Sequence, residues 1–379
     1  MTPIKVVHVI TSLSLGGAEQ MLYRLLRNGD RQRFHALVIC LTGPGPIGDQ
    51  IENLGVTVCY LNLPPGKITP GAFLQLCRWL RAYDPDLIQT WLYHADLIGG
   101  LAAVMNRVLV LWNIHHSDVN SPDTKWTTRA VMRINALLSH RLPVRIVVCS
   151  RSAAQSHVQI GYDSRKMVYI SNGVDTSAFK PDALARATVA AQLGIGVDVP
   201  LLGMAARFHP IKNQRGLLEA LQLLHQQMPD VHLVLLGRDM EAANPDLNKW
   251  VCELGLEGSV HLLGERADMP LWMAALDGYV SSSNSEAFPT VLIEAMACAT
   301  PCVTTAAGDS AEIVANTGFV VPIGDPAALA EACLKLLRLS PEARQALGAA
   351  ARERVLAEYD LPGVVQRYQD LYLSVLSAG

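Results

Sequence analysis

Gly278-Tyr279-Val280-Ser281-Ser282-Ser283-Asn284-Ser285-Glu286-Ala287-Phe288-Pro289-Thr290-Val291-Leu292-Ile293-Glu294-Ala295-Met296 is the stretch from which the fold can be worked out. A short apolar run ends in three serines, a turn-prone segment follows, and a dense apolar stretch begins at Thr290, so the local order is strand, loop, helix. Such a unit aims backbone N–H groups and a helix N-terminus into the crevice at the carboxyl end of a sheet, where anions bind. Glu286 stands in the loop and Glu294 lies inside the helix. Two carboxylates beside an anion site do not hold the anion; they suit the hydroxyl groups of a sugar or a ribose.

The same alternation runs outward in both directions. Val/Ile/Leu-rich runs at Ile4–Thr11, His35–Leu41, Thr57–Leu61, Asp86–Thr90, Val108–Asn113, Ile146–Ser150 and Met167–Ile170 alternate with amphipathic stretches such as Ala18–Arg27 and Ala72–Tyr83. Continuous apolar strands separated by helices predict a parallel sheet covered on both faces. Between Thr176 and Pro200 the pattern weakens among small residues, which reads as the passage from one domain to the next. Strands then restart at Leu201–Ala206, His232–Gly237, Val260–Leu263, Gly278–Ser281, Cys302–Thr305 and Phe319–Val321. Helices are expected at Asn213–Met228, Asn248–Leu254, Pro270–Ala275, Thr290–Cys298 and Ala327–Leu339. The expectation is an α/β chain of two Rossmann-like, doubly wound domains. The first covers residues 1–180 with a returning C-terminal helix from the 360–379 segment, and the second covers 181–359.

At 379 residues, half of them hydrophobic and 17% charged, the chain has material for two cores. A net charge of -3 and no stretch of interleaved aromatic and basic residues argue against a nucleic-acid partner. The charge is unevenly shared: residues 1–175 carry 17 Lys and Arg against 11 Asp and Glu, and the remainder is correspondingly acidic. A basic first half suits an anionic acceptor or an anionic membrane surface. The segment Lys125–Arg141 could lie on a bilayer as a basic amphipathic helix, but an ordinary surface helix with its apolar face in the core is the simpler reading. No secretory signal is visible, and the apolar tract Leu97–Trp112 is interrupted by Asn106 and Arg107, so a cytoplasmic protein on or near the inner face of the membrane is expected. The eight cysteines lie scattered in apolar surroundings without a CxxC pair, which predicts buried free thiols in a reducing compartment.

Several motifs sit where strands end. Gly16-Gly17 follows the first strand and opens a helix, allowing close backbone approach to a negative group; the GxGxxG spacing of a dinucleotide site is absent. Arg207 and Lys212 flank a Pro-containing loop after Leu201–Ala206, and a planar fork beside a point charge suits a diphosphate. His115 and His116 follow the strand Val108–Asn113, and in an extended segment at most one of them would face the crevice. Asp84-Pro85-Asp86 has the look of a cation pair but reads better as a solvated turn, and Asn172-Gly173 as a turn of positive φ.

In this order the motifs resemble those of the retaining glycosyltransferases of family 4. The resemblance rests on Gly16-Gly17-Ala18-Glu19, Asn172-Gly173-Val174-Asp175, Arg207 with Lys212, Gly264 to Asp268, Glu286 with Glu294, Ala307-Gly308 with Glu312, and Gly318 to Pro322. It implies the GT-B architecture, with the two domains facing one another across a cleft. It also implies a nucleotide sugar in the second domain, linked to uridine diphosphate in preference to the alternative guanosine diphosphate, and a glycan or lipid-linked glycan acceptor on the first. By the resemblance, Arg207 and Lys212 would neutralise the diphosphate, Glu286 would meet the donor sugar and Glu294 the ribose. Ala287, Phe288, Pro289, Thr290, Val291, Arg266 and Gly16-Gly17 would complete the donor site. His115 would stand by the transferred sugar, with His94 and His116 as acceptor-side candidates. The family needs no metal and no cofactor, so none is expected. Ala287 and Ala299 stand where the family most often has glycine, which implies strain at Ala287 if its φ must be positive.

Two rival readings remain at this point. A nucleotide-sugar 2-epimerase shares the architecture and would release free epimerised sugar without an acceptor. A non-catalytic nucleotide-sugar-binding protein would have no reason to keep Arg207, Lys212, Glu286 and Glu294 together.

Overall fold

The computed structural model describes residues 2–64, 66, 69–117, 119 and 124–378. The chain divides into two compact units, Met1–Gly173 with Leu361–Gly379, and Val174–Asp360.

The first unit is built on strands β1 (Ile4–Ile10), β2 (Phe34–Cys40), β3 (Thr57–Tyr60), β4 (Leu87–Trp91), β5 (Leu109–Ile114), β6 (Arg145–Val148) and β7 (Met167–Tyr169). Helices α1 (Gly17–Asn28), α2 (Pro46–Asn53), α3 (Pro70–Tyr83), α4 (Tyr93–Asn106), α5 (Trp126–Ser139) and α6 (Arg151–Gln159) connect them. All pairings are parallel, in the order β3-β2-β1-β4-β5-β6-β7. Val7 and Val9 pack on one face of the sheet, Val6 and Ile10 on the other, each in its own buried cluster. The apolar tract Leu97–Trp112 is no single element: α4 ends at Asn106, Arg107 adopts a left-handed φ of 58°, and β5 begins.

The second unit carries helices α7 (Ala185–Leu193), α8 (Gln214–His225), α9 (Pro245–Glu253), α10 (Met269–Ala275), α11 (Thr290–Ala297), α12 (Ser310–Val314), α13 (Pro326–Leu337) and α14 (Pro341–Glu358). Its strands are β8 (Leu201–Ala205), β9 (His232–Leu236), β10 (Val260–Gly264), β11 (Gly278–Ser281), β12 (Cys302–Thr305) and β13 (Gly318–Val321), all parallel in the order β10-β9-β8-β11-β12-β13. The last helix, α15 (Leu361–Ser377), belongs to the first unit, where Leu361, Val364, Val365, Tyr368 and Tyr372 join the core under β1 and β4.

Four sequence expectations change. The weak segment before Pro200 contains α7, which packs on α10 and is stopped by Gly194 at φ 68°. The break between units falls at Gly173/Val174, ahead of the expected 180/181. Val174 donates to the Tyr359 carbonyl (3.0 Å) and Thr176 Oγ1 to Asp360 Oδ1 (2.5 Å), tying this strip to the second unit. Gly173 does not supply positive φ; glycine is needed there because a Cβ would lie 3.0 Å from Leu361 Cα. Among the cysteines, Cys252 is exposed and Cys59 only half-buried, the other six being buried as free thiols.

In both sheets the strand order reverses at one place, between β1 and β4 in the first unit and between β8 and β11 in the second. At such a switch point the loops leaving the two strands diverge and open a crevice beyond their carboxyl ends. The quoted stretch follows β11, and Arg207 to Lys212 follows β8, so topology alone puts both on one crevice.

Candidate active site

In the second unit the two switch-point loops are laced together. After β8, Phe208 N–H donates to the Arg238 carbonyl (2.9 Å) and Gln214 Nε2 to the Arg207 carbonyl (2.9 Å). Pro210–Lys212 forms one 3-10 turn, and Asn213 in left-handed conformation (φ 51°) ends it, its side chain accepting from Gly216 N–H to cap α8. From the other loop, Asn284 N–H donates to the Ile211 carbonyl (2.7 Å), and Ser282 Oγ reaches the carbonyls of Lys212 (2.9 Å) and Asn213 (3.0 Å).

This lacing brings Lys212 Nζ to Glu286 Oε1 at 2.5 Å, a pair that sequence reasoning missed. Both side chains are largely sheltered, at 21% and 10% exposure, so the pair works in lower dielectric than a surface bridge. Ser283 Oγ donates to the same Oε1 (2.7 Å), and Thr305 Oγ1 fixes Ser283 through its carbonyl (2.6 Å). Beneath the loop lies Gly308 at φ 55°, where a Cβ would fall inside contact distance of the Glu286 carbonyl oxygen. Asp309 N–H donates to the Ala287 carbonyl (3.3 Å). Glu294 is buried in α11, whose other buried residues are apolar. Phe288 packs edge-on against Tyr359 at 5.6 Å and anchors the loop next to the N-terminus of α11 at Thr290. Arg207 is exposed at the crevice mouth. Arg266 is held by both oxygens of Asp268 (2.9 and 2.7 Å) and lies over the Trp272 ring. Of the two alanines that stand where glycine was expected, Ala287 is not left-handed and Ala299, after α11, is, at φ 59°.

In the first unit, Gly17, His94, His115 and His116 line one cavity of about 420 Å³ at the switch point. Both adjacent histidines face it. The strand ends at Ile114, so the alternation that would have separated them no longer applies. Gly16 caps α1 in extended conformation, and a Cβ there would collide with Glu19 Oε2, which folds back over it. Glu19, unassigned from sequence, is buried on the cavity wall, accepts from Ser12 Oγ (3.0 Å), and has its pKa raised by burial. A second cavity of about 520 Å³ shares Thr11, His94 and Thr128 with the first and adds Leu41, Leu63, Ile98 and Lys125.

His115 stacks on Trp91 (5.4 Å, 24° between planes), and neither ring nitrogen has a partner among the described residues. Burial lowers its pKa to about 3, so the ring is neutral at physiological pH and can share one donor and one acceptor with a hydroxyl. That favours hydrogen bonding over proton transfer. His94 is likewise lowered by burial, and its Nε2 lacks a partner among the described residues. Leu92, which leads into Tyr93 and His94, sits at φ 73° and ψ 156°. Non-glycine residues are rarely found there, and the conformation costs on the order of 1–3 kcal/mol. Hydrogen bonds on both sides impose it: Leu92 N–H to the Asn113 carbonyl (3.2 Å) and Asp96 N–H to the Leu92 carbonyl (2.9 Å). Behind it, His157 Nδ1–H donates to the Ala153 carbonyl, so Nε2 accepts from the Tyr93 hydroxyl (2.9 Å). The candidate cation pair does structural work instead: Asp84 ends α3 in left-handed conformation, and Asp86 Oδ2 accepts from Lys5 N–H.

The buried histidines make stability depend on pH. His8 and His115 are lowered to about 3 and His157 to about 4, each by burial. The folded protein keeps them neutral, whereas the unfolded chain protonates them below about 6.5. Unfolding therefore takes up protons, and stability falls as pH drops from about 6.5 toward 4. Asp96, pushed well above the carboxylate range by burial, and Glu19, also raised by burial, work in the opposite sense but are outnumbered by the histidines. Melting temperature is expected to be clearly lower at about pH 5 than at about pH 7. A melting temperature unchanged across that interval would refute the assignment.

Two family models match the chain: "Glycosyltransferase Family 4" over residues 15–178 and "Glycosyl transferases group 1" over residues 199–339. The chain is 27% identical over 312 residues to EpsF of Bacillus subtilis (strain 168), a protein assigned to the glycosyltransferases, covering 79% of this chain and 78% of that one. It is 21% identical over 384 residues to the UDP-Gal:alpha-D-GlcNAc-diphosphoundecaprenol alpha-1,3-galactosyltransferase of Escherichia coli, covering 98% and 97%. Several other relatives are matched over about half their length. Among solved structures, Anabaena Alr3699/HepE in complex with UDP superimposes with a TM-score of 0.87 at 25% identity, covering 98% of this chain and all of that one. The same protein has been solved with UDP-glucose.

Proposed function

Because the chain is a glycosyltransferase of the GT-B architecture, we propose that it is a retaining, metal-independent enzyme of family 4. In this reading it moves a hexose or N-acetylhexosamine from a uridine diphosphate sugar to a glycan or lipid-linked glycan in surface polysaccharide synthesis. It would work at the cytoplasmic face of the membrane. The observation that carries this reading is the sheltered Lys212–Glu286 pair at the switch point of the second unit. In the free protein the carboxylate holds the ammonium in place. An arriving diphosphate competes for Lys212 and, with the exposed fork of Arg207, takes over its charge. Glu286 is then free to accept hydrogen bonds from hydroxyls of the transferred sugar, and Glu294 accepts from the ribose.

As the bond from the anomeric carbon to the diphosphate breaks, negative charge grows on the leaving oxygen, and Lys212 and Arg207 stabilise it. The acceptor hydroxyl attacks the oxocarbenium-like centre from the same face, and its proton passes to the departing diphosphate oxygen on that face. Neutral His115 contributes a hydrogen bond to the sugar. Support for a lipid-linked, phosphate-bearing acceptor comes from the second cavity of the first unit, with its Leu41, Leu63 and Ile98 wall and Lys125. Support for the uridine nucleotide comes from the UDP complexes of HepE and the UDP-galactose donor in the name of the E. coli relative.

The test is a thermal-shift series with nucleoside diphosphates. UDP is expected to raise the melting temperature more than GDP or ADP. Stabilisation by GDP alone would move the donor to guanosine, and stabilisation by none of them would sink the transferase reading. Free 2-epimerised sugar formed without any acceptor would mark the enzyme as an epimerase.

A further inference from the structure

We propose that a cavity at the amino-terminal end of the first sheet is an effector site for a small uncharged molecule. Such a molecule would carry an aromatic or heterocyclic body and a hydrogen-bond acceptor at its inner end. The cavity holds about 500 Å³ between β1, the starts of β2 and β3, the end of α1 and the middle of α15. All of its walls belong to the first unit. It opens at the end of the sheet opposite the switch-point crevice, away from the cavity that His94 and His115 line.

Two polar side chains set into its wall lack a partner. His8 is 2% exposed and projects from β1 on the face where Val6 and Ile10 join an apolar core. An indole can only donate, so the bond from Trp91 Nε1 (3.3 Å) falls on an unprotonated Nδ1 and leaves the proton on Nε2, at the other edge of the ring. That N–H donates to nothing among the described residues. Gln369, 7% exposed on α15, likewise makes no side-chain hydrogen bond among the described residues. Both residues line the cavity. A buried polar group without a partner is destabilising, and an apolar residue at either position would avoid that cost. The space is also many times the share of one water, about 30 Å³, so it has room for a larger partner.

The wall selects the chemistry of that partner. His8 Nε2–H and the Gln369 amide offer donors and one acceptor. Leu25, Leu26 and Val56 supply apolar surface, and Phe34 meets Tyr372 edge-on (5.8 Å, 66°), which suits a flat body. The depth holds no charge, since burial lowers the His8 pKa to about 3 and keeps the ring neutral. At the mouth, Asp30 and Arg31 are of opposite sign. An ion would lose its hydration there without a counter-charge, which disfavours it. An aromatic amide or a neutral heterocycle meets these requirements.

His8 also links the cavity to the sugar side. A ligand that accepts from Nε2–H strengthens Nδ1 as an acceptor, and Nδ1 holds Trp91, on which His115 stacks at 5.4 Å. The occupant therefore steadies the His115 ring and acts as an activator, a step that rests on the role proposed above for His115.

The experiment uses benzamide as the probe on the whole protein, with benzoate as its charged counterpart, followed by saturation-transfer NMR. Benzamide should bind, benzoate should bind at least tenfold more weakly, and saturating UDP should not displace benzamide. Gln369→Leu removes the partner amide, and Thr57→Trp places an indole at the cavity from an exposed position on the edge strand β3. Each should weaken benzamide binding by about tenfold or more. In transfer assays benzamide should raise kcat/KM at least twofold in the parent and not in Thr57→Trp. Absence of benzamide binding, displacement by UDP, or binding that both variants leave intact overturns the site, and none of these results touches the transferase reading. Bound benzamide that leaves kcat/KM unchanged in the active enzyme overturns the effector role.

Discussion

Lys212→Ala is expected to lower kcat by roughly a hundredfold to a thousandfold, the range seen when one preorganised charge-stabilising donor is removed. Two losses combine in this variant. The leaving diphosphate loses its point charge, and Glu286, which Lys212 holds at 2.5 Å, loses the cation that fixes its position. Ser283 Oγ still donates to Glu286 Oε1, so the carboxylate stays near its place and the fold is not at risk. Glu294→Ala should behave differently. Its carboxylate is assigned to the ribose, a contact made equally in ground and transition states, so donor KM should rise with kcat little changed. Steady-state kinetics with varied donor separates the two. Parallel changes in both variants, or no change in either, would remove the roles given to these side chains.

Gly308→Ala is expected to destabilise the second unit by about 3 kcal/mol, part from an alanine in left-handed conformation and the rest from overpacking. The glycine stands at φ 55°, and the added Cβ would collide with the Glu286 carbonyl oxygen and crowd that of Ala287. Because the obstacle is backbone, relief requires the Glu286–Ala287 loop itself to move. Melting temperature should fall by about 6–12 °C, and donor KM should rise in the fraction that remains folded. A variant that melts like the parent would show that Gly308 does not support the loop.

Much of the fold was legible because a parallel sheet buried on both faces writes its strands as unbroken Val/Ile/Leu runs. Gly278–Ser281 and Cys302–Thr305 are the same residues in sequence and structure. What escaped detection has physical causes. Helix α7 is alanine-rich with little amphipathic contrast, so it looked like a linker. Helix α4 is apolar nearly all round and merges in composition with β5, the join marked only by Arg107 turning left-handed.

The site divides along similar lines. Residues at strand ends are legible by position: Arg207, Lys212, Glu286 and His115 were expected beyond the carboxyl ends of strands, and each follows one. Contacts between loops far apart in sequence could not, since no local pattern says that Lys212 reaches Glu286 or that Gly308 lies under it. The strain at Leu92 and the stacking of His115 on Trp91 also arise only from tertiary packing. A leucine gives no local sign that neighbouring hydrogen bonds will force it into a region favoured by glycine.

The most direct test is the anomeric configuration of the product, read by proton NMR after incubation with an α-linked UDP-hexose and a lipid-diphosphate-linked sugar acceptor. An α-linked product that keeps the donor's configuration, formed at an undiminished rate in the presence of a chelator, is the predicted result. A β-linked product, or release of free sugar with no glycosylated acceptor, would contradict the assignment.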